Sequence, residues 1–300
     1  MPEPAAGDSR RPAWQAIVSG MTGYRARPAT ILAAGMPRPP AEFRVLGSFA
    51  AITAGGPVLV TPAGRTVLRV LLLFSGQPCP QDMLCRALWG DAWPADPAAV
   101  LAGCAARAAR AVRPWVRITS CAGWYRAAAW PGTLDLDRFR RARARAAAAA
   151  GRGDLPAAAA ALSQALGCWR SAVIPALPAV PEIHAEAAGL LEERHIAGHD
   201  LAGLWLRLGW HRSALPALRA RAAAEPGCEQ AAAQLMQALL AAGRPVEAFR
   251  AYAAARRWLA AEVGIEPGRQ LQALLGCVLT GTPPPADLAG GDRLASGAGR

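Results

Sequence analysis

The chain has 300 residues, 53% of them hydrophobic, which is enough for two domains with cores of their own; its formal net charge is +12 and its pI about 10.7. All 33 basic residues are arginine, a side chain that grips phosphate and guanine with two donors at once; a GC-rich coding bias also raises arginine over lysine but leaves the net charge unexplained. No apolar run is long enough for a signal peptide or a membrane span, so a cytoplasmic protein with no membrane contact is expected.

Residues 1–41 carry Pro, Gly and Arg without a sustained period and read as a disordered leader, with Met21 and Met36 as alternative starts. Over 43–60 the apolar residues come in short β-rich bursts around Gly55-Gly56-Pro57, which predicts a small antiparallel sheet. A helix follows over 63–75, with Val67, Leu68, Leu71 and Leu72 on its inner face, and Gly76 ends it. A second helix over 80–89 turns Met83, Leu84, Ala87 and Leu88 inward. A third runs over 97–112: Leu101, Ala105, Ala108 and Val112 share a buried stripe, and Arg107, Arg110 and Arg113 share the opposite face. After Pro114 the strand-like runs 115–120 and 124–130 flank Cys121-Ala122-Gly123 as a hairpin. Sheet, three helices and hairpin is the order of a winged helix-turn-helix module, assigned to 42–130; nine arginines face four acids there.

From 135 onward the pattern is helical. Pro131-Gly132 interrupts the chain first, so 131–134 is expected to join two separate cores. The turns at Gly209 and Gly243 match in style and lie 34 residues apart, the tetratricopeptide period, and Gly153 opens a further pair. The spacing is irregular, which leaves a plain helical bundle as the other reading. The helical domain is assigned to 131–285, and the tail after Pro283-Pro284-Pro285, over 286–300, reads as disordered. The fold class is thus mainly α: a small winged helix-turn-helix domain followed by a tetratricopeptide-like helical-repeat domain.

An enzyme would need a site, and none is written here: no P-loop, G-x-S-x-G or dinucleotide fingerprint occurs. His195 and His199 have helical i, i+4 spacing, but the zincin Glu is missing and a helical wheel puts both on a solvated face, so no metal is expected. The seven cysteines are scattered and never spaced as C-x-x-C, which reads as buried small hydrophobes in a reducing compartment. No catalytic residue and no cofactor are expected.

Two passages carry a family resemblance. Residues 76–84, GQPCPQDML, followed by RALWGD at 86–91, resemble the helix-turn-helix passage of the Streptomyces antibiotic regulatory protein family. The arginine pair Arg256-Arg257 followed by EVGIEPG at 262–268 resembles the last repeat of that family's bacterial transcriptional activator domain. The resemblance spans about 43–281 and implies a DNA-binding transcriptional activator with a two-component-like effector domain, pathway-specific for an antibiotic or other biosynthetic gene cluster. By it the chain binds direct repeats in double-stranded promoter DNA, associates with further copies of itself there and recruits RNA polymerase. Arg107 and Arg110 on the third helix, with Arg113, and Arg117 and Arg126 on the wing, are then the DNA-binding residues, and Asp91, Trp93 and Asp96 line the loop that can face the polymerase. Trp93 is exposed for that purpose or caps the core, and Trp89 reads as a core plug. The recognition helix departs from the family in having Cys104, Ala106 and Ala109 where contact residues are usual. The alternative function is a degenerate winged-helix and helical-repeat interaction protein that regulates through protein or ligand contacts without reading DNA sequence.

Overall fold

A computed structural model describes residues 40–284. The expected tail and all but the last two residues of the expected leader lie outside that range, and Ala41 already stands in the first strand. β1 (Ala41–Arg44), β2 (Ala50–Thr53) and β3 (Gly56–Pro57) form an antiparallel meander with Phe43 opposite Ala51. Three helices follow: α1 (Pro62–Leu73), α2 (Gln81–Trp89) and α3 (Pro97–Ala111). Both α1 and α3 start where proline presets the first helical φ and the preceding side chain caps: Thr61 Oγ1 accepts from Gly64 N at 3.2 Å, and Asp96 Oδ1 from Ala99 N at 2.9 Å.

A second sheet orders its strands β4-β6-β5, from β4 (Cys79–Pro80), β5 (Val116–Cys121) and β6 (Trp124–Ala129). Ala122 and Gly123 close the hairpin with φ of 47° and 78°, the left-handed pair a two-residue turn needs to match strand twist. The sequence reading missed β4, two residues whose Pro80 breaks any strand pattern.

The remainder is helical: α4 (Asp135–Gly151), α5 (Leu155–Leu166), α6 (Pro181–Arg207), α7 (His211–Ala224), α8 (Glu229–Ala241), α9 (Pro245–Glu262) and α10 (Arg269–Thr280). Gly153, Gly209 and Gly243, at φ of 76°, 72° and 74°, turn α4 into α5, α6 into α7 and α8 into α9. A Cβ in that left-handed region would cost energy, so the same residue recurs at each turn. In the 262–268 turn Glu266 takes two arms of Arg256, at 2.8 and 2.9 Å, and Gly268 N donates to Glu229 at 2.6 Å, which seats α10 against α8 and α9.

The expectation of two cores divided at 131–134 does not hold. One buried cluster runs from Phe43 through the three-helix module, α4 and α5 into α6, where Leu204 ends it; a second, from Ala202 to Leu274, belongs to the later helices. Asp135 is fully buried and its carboxylate accepts from Val45 N at 2.9 and 3.0 Å, Leu46 N at 3.1 Å and Leu136 N at 2.8 Å. Phe43 N donates to Thr133 O at 2.8 Å. The segment is thus pinned to the first strand rather than spanning a gap. Across the same seam Arg69, in α1, donates to Ala176 O at 2.6 Å and to Pro175 O, and Arg86 meets Glu182 at 2.7 Å.

Glu42 is the hub of this seam. It pairs with Arg44, with Arg138 at 2.8 Å and with Arg170 at 2.9 Å, and Arg44 first among these holds its carboxyl down to about 2 from the ordinary 4.5. Because the folded value is the lower, the chain gains stability from Glu42 above pH 4.5 and loses it as pH falls toward 2. Denaturant midpoints taken through that window are expected to fall less steeply in Glu42→Gln than in the parent; parallel curves would assign the seam's acid sensitivity elsewhere.

Candidate nucleic-acid interface

Small residues bring α3 close to α1. Gly64 is buried in α1, and a Cβ there would lie 3.7 Å from Ala108 Cβ on α3 and 2.9 Å from Val60. Leu101, Ala105, Ala108 and Val112 are buried as their spacing predicts, and Cys104 joins them at 3% exposure. Cys104 therefore belongs to the core and not to the outer face. Ala102, Ala106, Arg107 and Arg110 face outward.

Arg107 lies back along its own helix, with Nη2 donating to Cys104 Sγ at 3.3 Å and Nη1 only 3.5 Å from where a Gly103 Cβ would sit. Gly103, with no side chain of its own, is where that guanidinium rests. Arg113 departs from expectation. The helix ends at Ala111 and Val112 caps it, so Arg113 stands in the exposed turn before β5 rather than on the helix face with Arg107 and Arg110. Arg117 stands opposite Ala128 and Arg126 opposite Thr119, and strand alternation sends both to the solvent face while Val116, Tyr125 and Ala127 point inward.

All five arginines are exposed, and none forms an ion pair among the described residues. Elsewhere Arg138, Arg140, Arg143, Arg170, Arg219, Arg244 and Arg256 are each matched by a carboxylate. The positive charge left unneutralised on α3, the turn behind it and the wing can be met by phosphate.

The loop between α2 and α3 is shaped from within. Gly90 takes φ of 58°, and Trp93 Nε1 donates to Gly90 O at 2.7 Å while its ring remains 45% exposed. Asp91 is free to meet a partner; Asp96 spends one oxygen on the α3 cap. Trp89 is half-buried against the first core. The two histidines differ from the wheel's placement: both are half-buried, because α6 packs against α1, α5, α7 and α8 and so has more than one covered face. His199 Nδ1 lies 3.6 Å from Asp200, and His195 turns toward Glu225 and Cys228, residues with no sequence signal of their own.

A winged helix-turn-helix fastened to paired helices, with open arginines on the recognition side, is the build of a transcriptional regulator. The family described as bacterial transcriptional activator domain matches residues 134–279. Regulatory protein DnrI of Streptomyces peucetius is 31% identical over 237 residues, which cover 75% of this chain and 87% of DnrI. Regulatory protein AfsR of Streptomyces coelicolor is 32% identical over 249 residues, covering 83% of this chain but 25% of AfsR, so the chain spans a quarter of that relative's length. The structure of Mycobacterium tuberculosis EmbR in complex with a low-affinity phosphopeptide superposes with a TM-score of 0.72 at 26% identity, over 84% of this chain and 68% of that one. The chain belongs to the Streptomyces antibiotic regulatory protein family of transcriptional regulators. Among the described residues no helix is long and apolar enough to cross a membrane.

Proposed function

We propose that this chain is a cytoplasmic, pathway-specific activator that binds direct repeats in promoter DNA through α3 and the wing, two or more copies side by side, and recruits RNA polymerase through the loop at 90–96. The observation that carries the reading is the grouping of five exposed arginines, Arg107, Arg110, Arg113, Arg117 and Arg126, on α3, the turn behind it and the wing, none of them with a carboxylate partner among the described residues. Arg107 and Arg110 stand on the groove-facing side of a helix and are assigned to base edges; the other three are assigned to phosphates. Specificity resting on so few polar side chains is weak for a single copy, and adjacent half-sites supply the rest through effective concentration.

Mobility shift of the full chain on the DNA upstream of its own gene, against a shuffled duplex of equal length, tests this. Slower migration at lower protein concentration on the upstream duplex supports it. Equal affinity for both overturns it in favour of an interaction protein that regulates without reading sequence. The polymerase assignment has its own test in reconstituted transcription: Asp91→Ala with Trp93→Ala is expected to lose activation and keep DNA binding. Asp96 is left out of that variant because its loss would fray α3. Retained activation would free the loop of that role.

A further inference from the structure

Three helices converge on a cluster away from the arginine face. His195 projects from α6, Glu225 ends α7, and Cys228 immediately precedes α8. His195 Nδ1 lies 3.2 Å from Glu225 Oε2, and Nε2 lies 3.9 Å from Cys228 Sγ. One donor atom from each of the three lies within 4.8 Å of the others, and all three residues are half-buried. Bond lengths of about 2.0–2.3 Å in a tetrahedral zinc site put donors roughly 3.3–3.8 Å apart. The two partners face opposite nitrogens of the ring, so one ion takes either Nδ1 or Nε2, and the Glu225 or Cys228 side chain has to swing to that side of the imidazole to complete the set.

The backbone that presents two of the donors is held in place. Cys228 N donates to Glu225 O at 2.9 Å, and Gly227 lies so close under the Trp258 ring that a Cβ would fall 2.4 Å from it. A nitrogen, a sulfur and a carboxylate oxygen make a borderline-soft donor set, which suits zinc and its neighbours rather than calcium or magnesium. The cluster also sits where the first core gives way to the second, since Ala197 and Leu201 belong to one and Ala202 to the other. We propose that His195, Glu225 and Cys228 bind a zinc-class divalent cation through three protein ligands, with the fourth position open to water, and that the ion ties α6 to the α7–α8 turn.

One contact opposes the ion. Arg221 Nε lies 3.4 Å from the same Glu225 oxygen, so the metal must take the carboxylate from it; Arg221 keeps its contact with Gln234 Oε1 at 2.9 Å. Arg221→Gln is therefore expected to tighten binding.

The test uses the full chain, reduced and stripped with a chelator, then titrated separately with Zn²⁺ and Co²⁺. The expected result is one ion per chain, a cobalt–sulfur charge-transfer band and a higher thermal midpoint. Cys228→Ser should abolish the band, and Cys228→Ser and His195→Gln should each weaken binding by at least about 10-fold. DNA mobility shift of the stripped parent is unaffected by these outcomes and reports on the arginine face alone. Absence of binding by the parent overturns the proposal, and so does binding that survives unweakened in both variants, which would place the ion on other cysteines or histidines.

Discussion

The Arg107→Ala, Arg110→Ala double variant is expected to bind its cognate duplex no better than a random one. Each arginine that grips a guanine edge contributes about 1–3 kcal/mol of discrimination, roughly 10-fold for every 1.4 kcal/mol. The other exposed positions of α3 are Ala98, Ala99, Val100, Ala102 and Ala106, with no polar side-chain atom to compensate. Arg107 has to leave Cys104 Sγ to reach a base, and sulfur is a weak acceptor, so the release costs little. Arg113→Ala, Arg117→Ala and Arg126→Ala are expected to act differently, weakening cognate and random duplexes alike and each lowering the salt slope by about one unit. Titrations of the parent and the four variants on both duplexes at two salt concentrations separate these behaviours. A double variant that keeps the parent's preference would remove α3 from base readout.

The parts of this fold that were legible in the sequence are those set by neighbours along the chain. The apolar spacings Val67-Leu68-Leu71-Leu72 and Leu101-Ala105-Ala108-Val112 announce α1 and α3 because helix faces are set by near neighbours, and Gly153, Gly209 and Gly243 announce helix pairs because each must take a left-handed φ. What could not be read depends on residues far apart. Asp135 meets backbone 89 and 90 positions away, so the joining of the halves left no local trace. The wheel that sent His195 and His199 to solvent assumed one buried face, whereas α6 has several neighbours. Arg113 was carried onto the recognition face by extending α3 past Ala111, where the chain in fact turns toward the wing. Of the site arginines, the open face of Arg107 and Arg110 followed from periodicity, and their lack of carboxylate partners only from the structure.

A fragment ending at residue 130 is expected not to fold, although it contains every element of the winged module. Phe43 and Leu46 share their core with Leu134, Leu136 and Phe139, all of them buried to within 1% of completely, and truncation returns the first two to water. Fully burying one such side chain is worth about 1.5–3 kcal/mol, a large share of the stability of a domain this small. The cut also strips Val45 and Leu46 of the carboxylate that their N–H groups meet. Asp135→Ala in the full chain isolates that last effect: two long-range donors left unsatisfied cost about 1–3 kcal/mol each. Asp135→Asn keeps one acceptor oxygen and should cost less. Burial pushes the Asp135 carboxyl up despite the three N–H donors, so its folded value exceeds its unfolded one. The stability it gives is greatest below the unfolded value and declines as pH rises through the folded one, the reverse of Glu42, and Asp135→Asn should flatten that decline. Urea unfolding of the parent should show the winged module and helices α4 to α6 melting in one transition, as a shared core requires. Native chemical-shift dispersion in the fragment ending at 130, or a separate transition for the winged module, would mean that the two halves stand independently and that the continuous core adds little.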